Sequence, residues 1–257
     1  MPLLDHLVEL RRRLLWCLVT FVLAFAVCYH FSDDIYRFLA APLARIMKAR
    51  GEQPHLIYTA LYEAFFTNVR VAVFGAMFLS FPMVAAQAWI FIAPGLYRNE
   101  KRAFLPFLVA TPVLFLAGAA LAYYVVFPYA WAFFLSFQQS GSDSSMGIEL
   151  QARVSEYLTL VTKMILGFGI CFELPVVLTL LVRCGLVTTA QLKRFRRYAY
   201  VAAFAVAAVI APPDAITMLS LAIPLVALYE VSIIAASLVQ RDSAKGASPA
   251  GDGQEVA

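Results

Sequence analysis

The chain has 257 residues, of which 62% are hydrophobic and only 14% are charged, and its formal net charge is +4. A soluble domain carries about 25% charged residues, so this composition is typical of an integral membrane protein. No basic stripe interleaved with aromatic residues indicates a nucleic-acid interface. The histidines lack metal-ligand spacing, and the four cysteines lie in or beside apolar stretches. We therefore expect no nucleic acid, metal or cofactor.

Six apolar segments follow one another along the chain, and each predicts a membrane-spanning helix. We place these spans at about 14–31, 65–92, 104–131, 157–182, 198–211 and 215–228. About 20 apolar residues cross a hydrocarbon core, so the first four segments are long enough. The last two hold about 14 residues each, or roughly 21 Å of helix, which predicts two short final spans in a locally thinned bilayer. A buried re-entrant hairpin is the alternative for this pair.

Basic residues set the expected orientation. Arg11-Arg12-Arg13 precedes the first span, and further Lys and Arg residues are concentrated in the loops after the second and fourth spans and in the tail. This distribution predicts that both termini are cytoplasmic. The first apolar run is too long for a secretory signal, so we interpret it as an uncleaved span. We expect a six-span membrane domain over residues 1–240 and a disordered cytoplasmic tail over 241–257.

The connections and the prolines indicate how the spans are arranged. The first outer loop, about 32–62, has apolar residues at helical spacing, which predicts short amphipathic helices on the membrane surface. Pro212-Pro213-Asp214 predicts a tight outer turn between the last two spans. Prolines inside other spans predict kinked helices that form a concave wall. The expected fold is an all-α integral membrane protein with six transmembrane helices.

Two carboxylates are expected at the inner membrane surface. Glu9 lies beside the basic cluster, and Glu100 follows the second span. Two carboxylates at one surface suit a ligand with two guanidinium groups, because a carboxylate accepts arginine bidentately and lysine cannot reproduce that geometry. The alternative for Glu9 is neutralisation of Arg12 or Arg13 on one helix face. The alternative for Glu100 is a solvated acid among basic neighbours.

Glu173 is an acid within the fourth span, where a carboxylate is costly unless it faces a partner or a wet cavity, or is protonated. We interpret it as part of a polar patch on a membrane-embedded face, on which Gln87 of the second span could also lie. The alternative is a neutral acid that bonds a carbonyl freed by Pro175.

Two acid–base pairs share a seven-residue spacing, or about two helical turns. They are Glu63 with Arg70 and Glu156 with Lys163. We expect each to form a local ion pair.

Four motifs occur in order between about residue 4 and residue 239. They are His6-Leu7-x-Glu9-Leu10-Arg11-x-Arg13, Phe91-x-x-Pro94-Gly95-Leu96-Tyr97-x-x-Glu100, Phe172-Glu173-x-Pro175 and Pro212-Pro213-Asp214. Each motif alone is weak evidence for a family. All four in this order, on a chain with six predicted spans and both termini cytoplasmic, are strong evidence. In this combination the chain resembles the TatC family, the signal-peptide receptor subunit of the twin-arginine protein translocase.

The resemblance implies a function that composition cannot show. TatC proteins bind twin-arginine signal peptides and, with TatA and TatB single-span subunits and other TatC copies, export folded proteins across the bacterial cytoplasmic (inner) membrane using the protonmotive force. By this resemblance Glu100 would bind the two arginines, with Glu9 close by. Phe91 would line the same site, and Arg11 and Arg13 would shape its N-terminal part.

The same resemblance implies roles for the rest of the chain. Glu173 would lie on a concave intramembrane face near which TatA and TatB act, and the fifth span would form part of the partner contact. Asp214 would mark the tight outer turn, and the first outer loop would cap the outer side.

Two other classes of function are the alternatives. A proton-coupled small-solute transporter would use Glu173 and Lys163 as a proton relay, but we find no interrupted helices in two matching halves. A membrane-embedded enzyme would need a catalytic motif, and the chain contains neither H-E-x-x-H nor G-x-S-x-G. We therefore expect no catalytic activity.

Overall fold

The computed structural model describes residues 3–92, 101–138, 151–212 and 214–246. Within these ranges the chain is helical, and the only β pairing is a single parallel bridge between Ile57 and Arg153. The helices are α1 (Leu3–His30), α2 (Ser32–Ala49), α3 (Glu63–Ile92), α4 (Lys101–Leu121), α5 (Phe127–Leu135), α6 (Val154–Cys171), α7 (Leu174–Arg183), α8 (Thr189–Arg194), α9 (Arg196–Ile210) and α10 (Ala215–Gly246).

The described residues contain five segments that are long and apolar enough to cross a membrane. These segments are Leu7–His30, Glu63–Phe91, Phe107–Leu135, Val154–Arg183 and Ala215–Leu238. The 15-residue helix α9 makes a sixth, shorter pass. An even number of passes places the beginning of α1 and the end of α10 at the same end of the molecule. We call this the inner end, following the charge distribution, and the opposite end the outer end.

The last two passes differ in length, which corrects part of the expectation. Helix α9 is short, as predicted, but α10 has 32 residues and stays apolar to Leu238, so the expected end at residue 228 was wrong. Glu230 does not end the helix, because Arg196 Nη2 lies 2.7 Å from one carboxylate oxygen and the Tyr200 hydroxyl donates to the other at 2.6 Å. The helix also runs to Gly246, into the region expected to be tail.

Two predicted spans are interrupted near prolines. A π-helical turn, Ala122–Val126, joins α4 to α5 directly before Pro128, whose missing N–H prevents regular helical bonding. The fourth span is divided into α6 and α7, with Pro175 in the first turn of α7. Between them Glu173 keeps a nearly helical backbone, with φ −73° and ψ −12°. The chain therefore continues across the membrane despite the break.

The first outer loop is more ordered than the sequence indicated. It contains one 18-residue helix, α2, rather than several short helices on the membrane surface, and this helix packs against α3 and α5. Its apolar face becomes part of the core because it covers their outer ends. The residues that it buries are Ser32, Leu39, Pro42, Leu43 and Met47.

Helix α2 is also held by hydrogen bonds from the spans. Pro42 cannot donate to the carbonyl four residues earlier, which leaves the Phe38 oxygen free. The Tyr123 hydroxyl donates to this oxygen at 2.7 Å, and the Tyr157 hydroxyl donates to the neighbouring Leu39 oxygen at 2.8 Å. The two tyrosines thus fix α2 on the π-helical turn and on α6.

Candidate functional site

A polar cluster joins α1 to α3 near the inner end. Glu9 and Arg13 lie one turn apart on α1, and Arg13 Nε donates to Glu9 Oε1 at 3.0 Å while Nη2 donates to the same oxygen. Arg13 Nη1 donates to Gln87 Oε1 on α3 at 3.2 Å. We call Glu9, Arg13 and Gln87 the inner cluster.

The inner cluster keeps one acidic atom available. The alternative stated for Glu9, neutralisation of Arg12 or Arg13 on one helix face, is observed with Arg13 as the partner. All of these bonds use Oε1, and no described residue bonds Glu9 Oε2. The Glu9 side chain is 32% exposed, whereas that of Arg13 is 18% exposed. Arg13 therefore holds the carboxylate in place while its second oxygen can accept another donor.

The other predicted residues of this site are placed differently. Phe91 is half-buried and lies one turn after Gln87, so both are on the same face of α3. Arg11 is exposed and lies about 200° around α1 from Arg13, which directs it away from the inner cluster. Glu100 lies outside the described residues. The structure thus brings Glu9, Arg13 and Gln87 together and does not bring Arg11 to them.

Gln87 does not share the surroundings of Glu173, contrary to expectation. Gln87 faces α1, while Trp89, two residues later and about 200° around α3, faces α4. Trp89 Nε1 donates to Thr111 Oγ1 at 3.0 Å, and Thr111 lies close to Glu173. The two polar residues therefore belong to separate sites.

Glu173 lies at the break between α6 and α7 and is buried. Among the described residues, neither of its carboxylate oxygens has a hydrogen-bond partner. The predicted alternative, a bond to a carbonyl freed by Pro175, is therefore not made. The first turn of α7 has free N–H groups and a positive dipole end, which favours an acid at this position. Glu173 is thus held between spans, with neither oxygen bonded by a described residue.

Asp214 occupies the predicted outer turn and starts the last helix. Its Oδ1 accepts a hydrogen bond from the Thr217 N–H at 2.7 Å, which caps α10. Lys163 of α6 donates to the Val209 carbonyl near the end of α9 at 2.5 Å. The turn between the last two passes is therefore flanked by a capping acid and a lysine from a neighbouring span.

Both ion pairs expected at seven-residue spacing were wrong. Lys163 bonds a carbonyl, as described above, and Glu156 pairs with Arg153 at 3.3 Å. Glu63 accepts from the backbone N–H of Thr59 at 2.9 Å, and Arg70 donates to neutral oxygens of α6. Each of these side chains bonds a nearer group of the adjoining loop or of a neighbouring helix instead of the side chain two turns away.

The sequence analysis missed two polar groups in the spans. Little in the sequence indicates the Trp89–Thr111 bond beside Glu173, because single threonines are common in apolar helices. The Arg196–Glu230 pair had a stronger signal, since Glu230 is an acid within the apolar sequence of α10. We instead ended the predicted span at residue 228, before this acid.

Comparisons with known proteins agree on one family. A family model described as "Sec-independent protein translocase protein (TatC)" matches residues 5–224. The chain is 49% identical to a protein of that name from Magnetococcus marinus over 244 residues, which cover 95% of this chain and 87% of the relative. It is 35% identical to the Escherichia coli O6:H1 protein of the same name over 232 residues, covering 90% and 86%.

Solved structures give the same result. The crystal structure of a twin arginine translocase receptor, TatC, matches with a TM-score of 0.77 and 37% sequence identity. The match covers 92% of this chain and 100% of that chain. A second TatC crystal structure, solved in the detergent DDM, matches with a TM-score of 0.76 at 35% identity. The six-pass helical fold is therefore shared along nearly the whole length.

Proposed function

The chain belongs to the TatC family, and from this premise we propose that it acts as the core receptor of the twin-arginine translocation system in a bacterial cytoplasmic membrane. The chain is a multi-pass membrane protein with the six transmembrane helices of that family, and it is a component of a protein translocase. The transporter alternative is not favoured, because every comparison cited above is to a protein translocase.

We propose that the ligand is a signal peptide with two consecutive arginines and that it binds at the inner end. The observation that carries this proposal is the inner cluster, in which Glu9 already binds a guanidinium through one oxygen while no described residue bonds the other. Gln87 holds Arg13, so Glu9 is positioned before a ligand arrives. Glu100 supplies the second carboxylate, and Phe91 packs against the apolar part of the peptide.

We further propose that partner subunits act at Glu173. Its two oxygens are buried and have no hydrogen bond among the described residues, and we expect a spanning helix of TatA, TatB or another TatC copy to pack at this break and supply the missing donor. The role of the chain is to bind and position export substrates, with the protonmotive force as the energy source, so it needs no catalytic group of its own.

Site-specific crosslinking tests the proposed binding site. A photoreactive residue at Phe91 should crosslink to a signal peptide with an arginine pair and much less to the same peptide with a lysine pair. The same residue at Phe65, exposed near the outer end of α3, provides the matched control and should give no crosslink. Equal crosslinking from both positions, or to both peptides, would contradict the proposed site.

A further inference from the structure

A second polar site lies at the opposite end of the molecule, where α3 and α6 begin. An open cavity of about 490 Å³ is formed between the two helices and the segment before α3. Its lining includes two guanidinium groups, Arg70 and Arg153, together with Glu63 and Thr67. The inner cluster does not involve any of these residues.

Arg70 is a cation without an acidic partner among the described residues. It is exposed, lies about two turns into α3, and donates to the Ser155 carbonyl at 2.9 Å and to Thr159 Oγ1 at 2.6 Å. Glu63 does not neutralise it, because that carboxylate accepts N–H groups of Thr59, Ala60 and Ser155. A guanidinium that no acidic side chain neutralises can bind an anion from outside the chain.

Thr67 adds an unsatisfied polar group to the same cavity. Its side chain is one turn from Glu63 and Arg70, and the residue is only 5% exposed. Among the described residues its hydroxyl has no hydrogen-bond partner, although it lines the cavity. Buried hydroxyls are nearly always bonded, so this one indicates a missing partner.

Part of the cavity lining is apolar and extends toward the middle of the membrane. Phe66, Val69 and Val73 line it at helical spacing along α3. Since α3 runs inward from the outer end, Arg70 lies about 10 Å and Val73 about 15 Å deeper than Glu63, at 1.5 Å per residue. The Arg70 guanidinium bonds Ser155 in the first turn of α6 and so lies toward the outer end, whereas Val73 lies toward the middle of the membrane. This polarity is that of a phospholipid, with a charged headgroup followed by an acyl chain.

We propose that this cavity binds the headgroup of an anionic phospholipid from the outer leaflet. Arg70 binds the phosphate, since a guanidinium matches phosphate oxygens bidentately. The Thr67 hydroxyl bonds the polar headgroup, and one acyl chain runs inward along Val69 and Val73. The bound lipid supplies the anion that the protein itself does not place beside Arg70.

Lipid binding to the purified full-length chain in detergent tests this proposal. Native mass spectrometry should show that phosphatidylglycerol binds more tightly than phosphatidylcholine with the same acyl chains. Arg70→Gln should weaken phosphatidylglycerol binding about fivefold, as expected for loss of one basic group at a membrane surface. Arg37→Gln is the matched control, because Arg37 is an exposed arginine on α2 outside the cavity, and it should change nothing.

A second variant separates lipid binding from loss of structure. Val73→Phe fills the apolar part of the cavity without changing any charge, and it should also weaken phosphatidylglycerol binding. Glycerol phosphate, which has no acyl chains, should not compete at concentrations that saturate the lipid site. Equal weakening by Arg70→Gln and Arg37→Gln, full binding by Val73→Phe, or glycerol phosphate binding as tightly as the lipid would each overturn the proposal.

Discussion

Arg13 connects the first and third helices at the inner end through side-chain bonds to Glu9 and Gln87. Arg12, its neighbour in the same basic cluster, is exposed. Both residues contribute a positive charge to the same membrane surface, but only Arg13 is part of the inner cluster. Their removal therefore separates the effect of charge on orientation from the effect of bonding on structure.

We expect Arg13→Ala to lower the free energy of unfolding by about 1–3 kcal/mol, because Glu9 and Gln87 lose a charged, partly buried partner. Arg12→Ala should change it by less than about 0.5 kcal/mol, as is usual for an exposed side chain. Thermal unfolding in detergent measures both. Equal stability of the two variants would contradict the role assigned to Arg13.

Glu173 presents the opposite case, a buried acid that the described residues leave unbonded. We expect Glu173→Leu to keep or raise the unfolding temperature, because it removes the cost of burying a polar group without a partner. Export of a folded reporter should nevertheless be lost. Glu156→Leu, at an exposed acid on the same helix pair, should export normally. A destabilised Glu173→Leu protein would show that the acid has a structural partner after all.

Single residues also show where sequence reasoning fails. The seven-residue spacing of Glu63 and Arg70 placed them near one face of α3, but spacing says nothing about backbone donors from other segments. Glu63 instead accepts the N–H of Thr59, in the segment before α3, and the N–H of Ser155, at the start of α6. Lys163 likewise donates to a carbonyl near the end of α9 instead of pairing with Glu156. Such contacts depend on which helices become neighbours, and local sequence does not specify that.

At the scale of elements, helix α2 shows how a proline is accommodated. Pro42 frees the Phe38 carbonyl, and tyrosines of two different spans bond that region. The apolar spacing predicted a helical loop correctly, but its packing onto the spans followed from these long-range partners. The interruptions near Pro128 and Pro175 were predicted as kinks, since proline acts on its own helix.

The tyrosine bonds to α2 can be removed one hydroxyl at a time. Tyr123→Phe should lower the free energy of unfolding by about 1–2 kcal/mol, because the freed carbonyl loses its partner in a buried setting. Tyr124→Phe is the control, since Tyr124 is adjacent but 65% exposed, and it should have little effect. Thermal unfolding in detergent would contradict this role if the two variants were equally stable.

At the scale of the whole molecule, composition and hydrophobic segments were sufficient to predict an all-helical, six-pass membrane protein. The exact end of the last pass was not predictable from the sequence. An acid such as Glu230 usually marks the end of a span, and its ion pair with Arg196 of α9 is visible only in the structure. For the inner end, the position of Glu9 was predicted from the sequence, but Gln87 was assigned to the surroundings of Glu173 instead. Glu9 and Gln87 are far apart in sequence, and no local pattern indicates that Arg13 joins them.

The most direct measurement of the central claim is the affinity of the purified full-length chain for two signal peptides that differ only in a diarginine or dilysine pair. Both peptides have the same charge, so only guanidinium geometry distinguishes them. We predict that the diarginine peptide binds at least about tenfold more tightly, because lysine cannot bond a carboxylate bidentately. Equal affinities for the two peptides would contradict a receptor site built from carboxylates at the inner end.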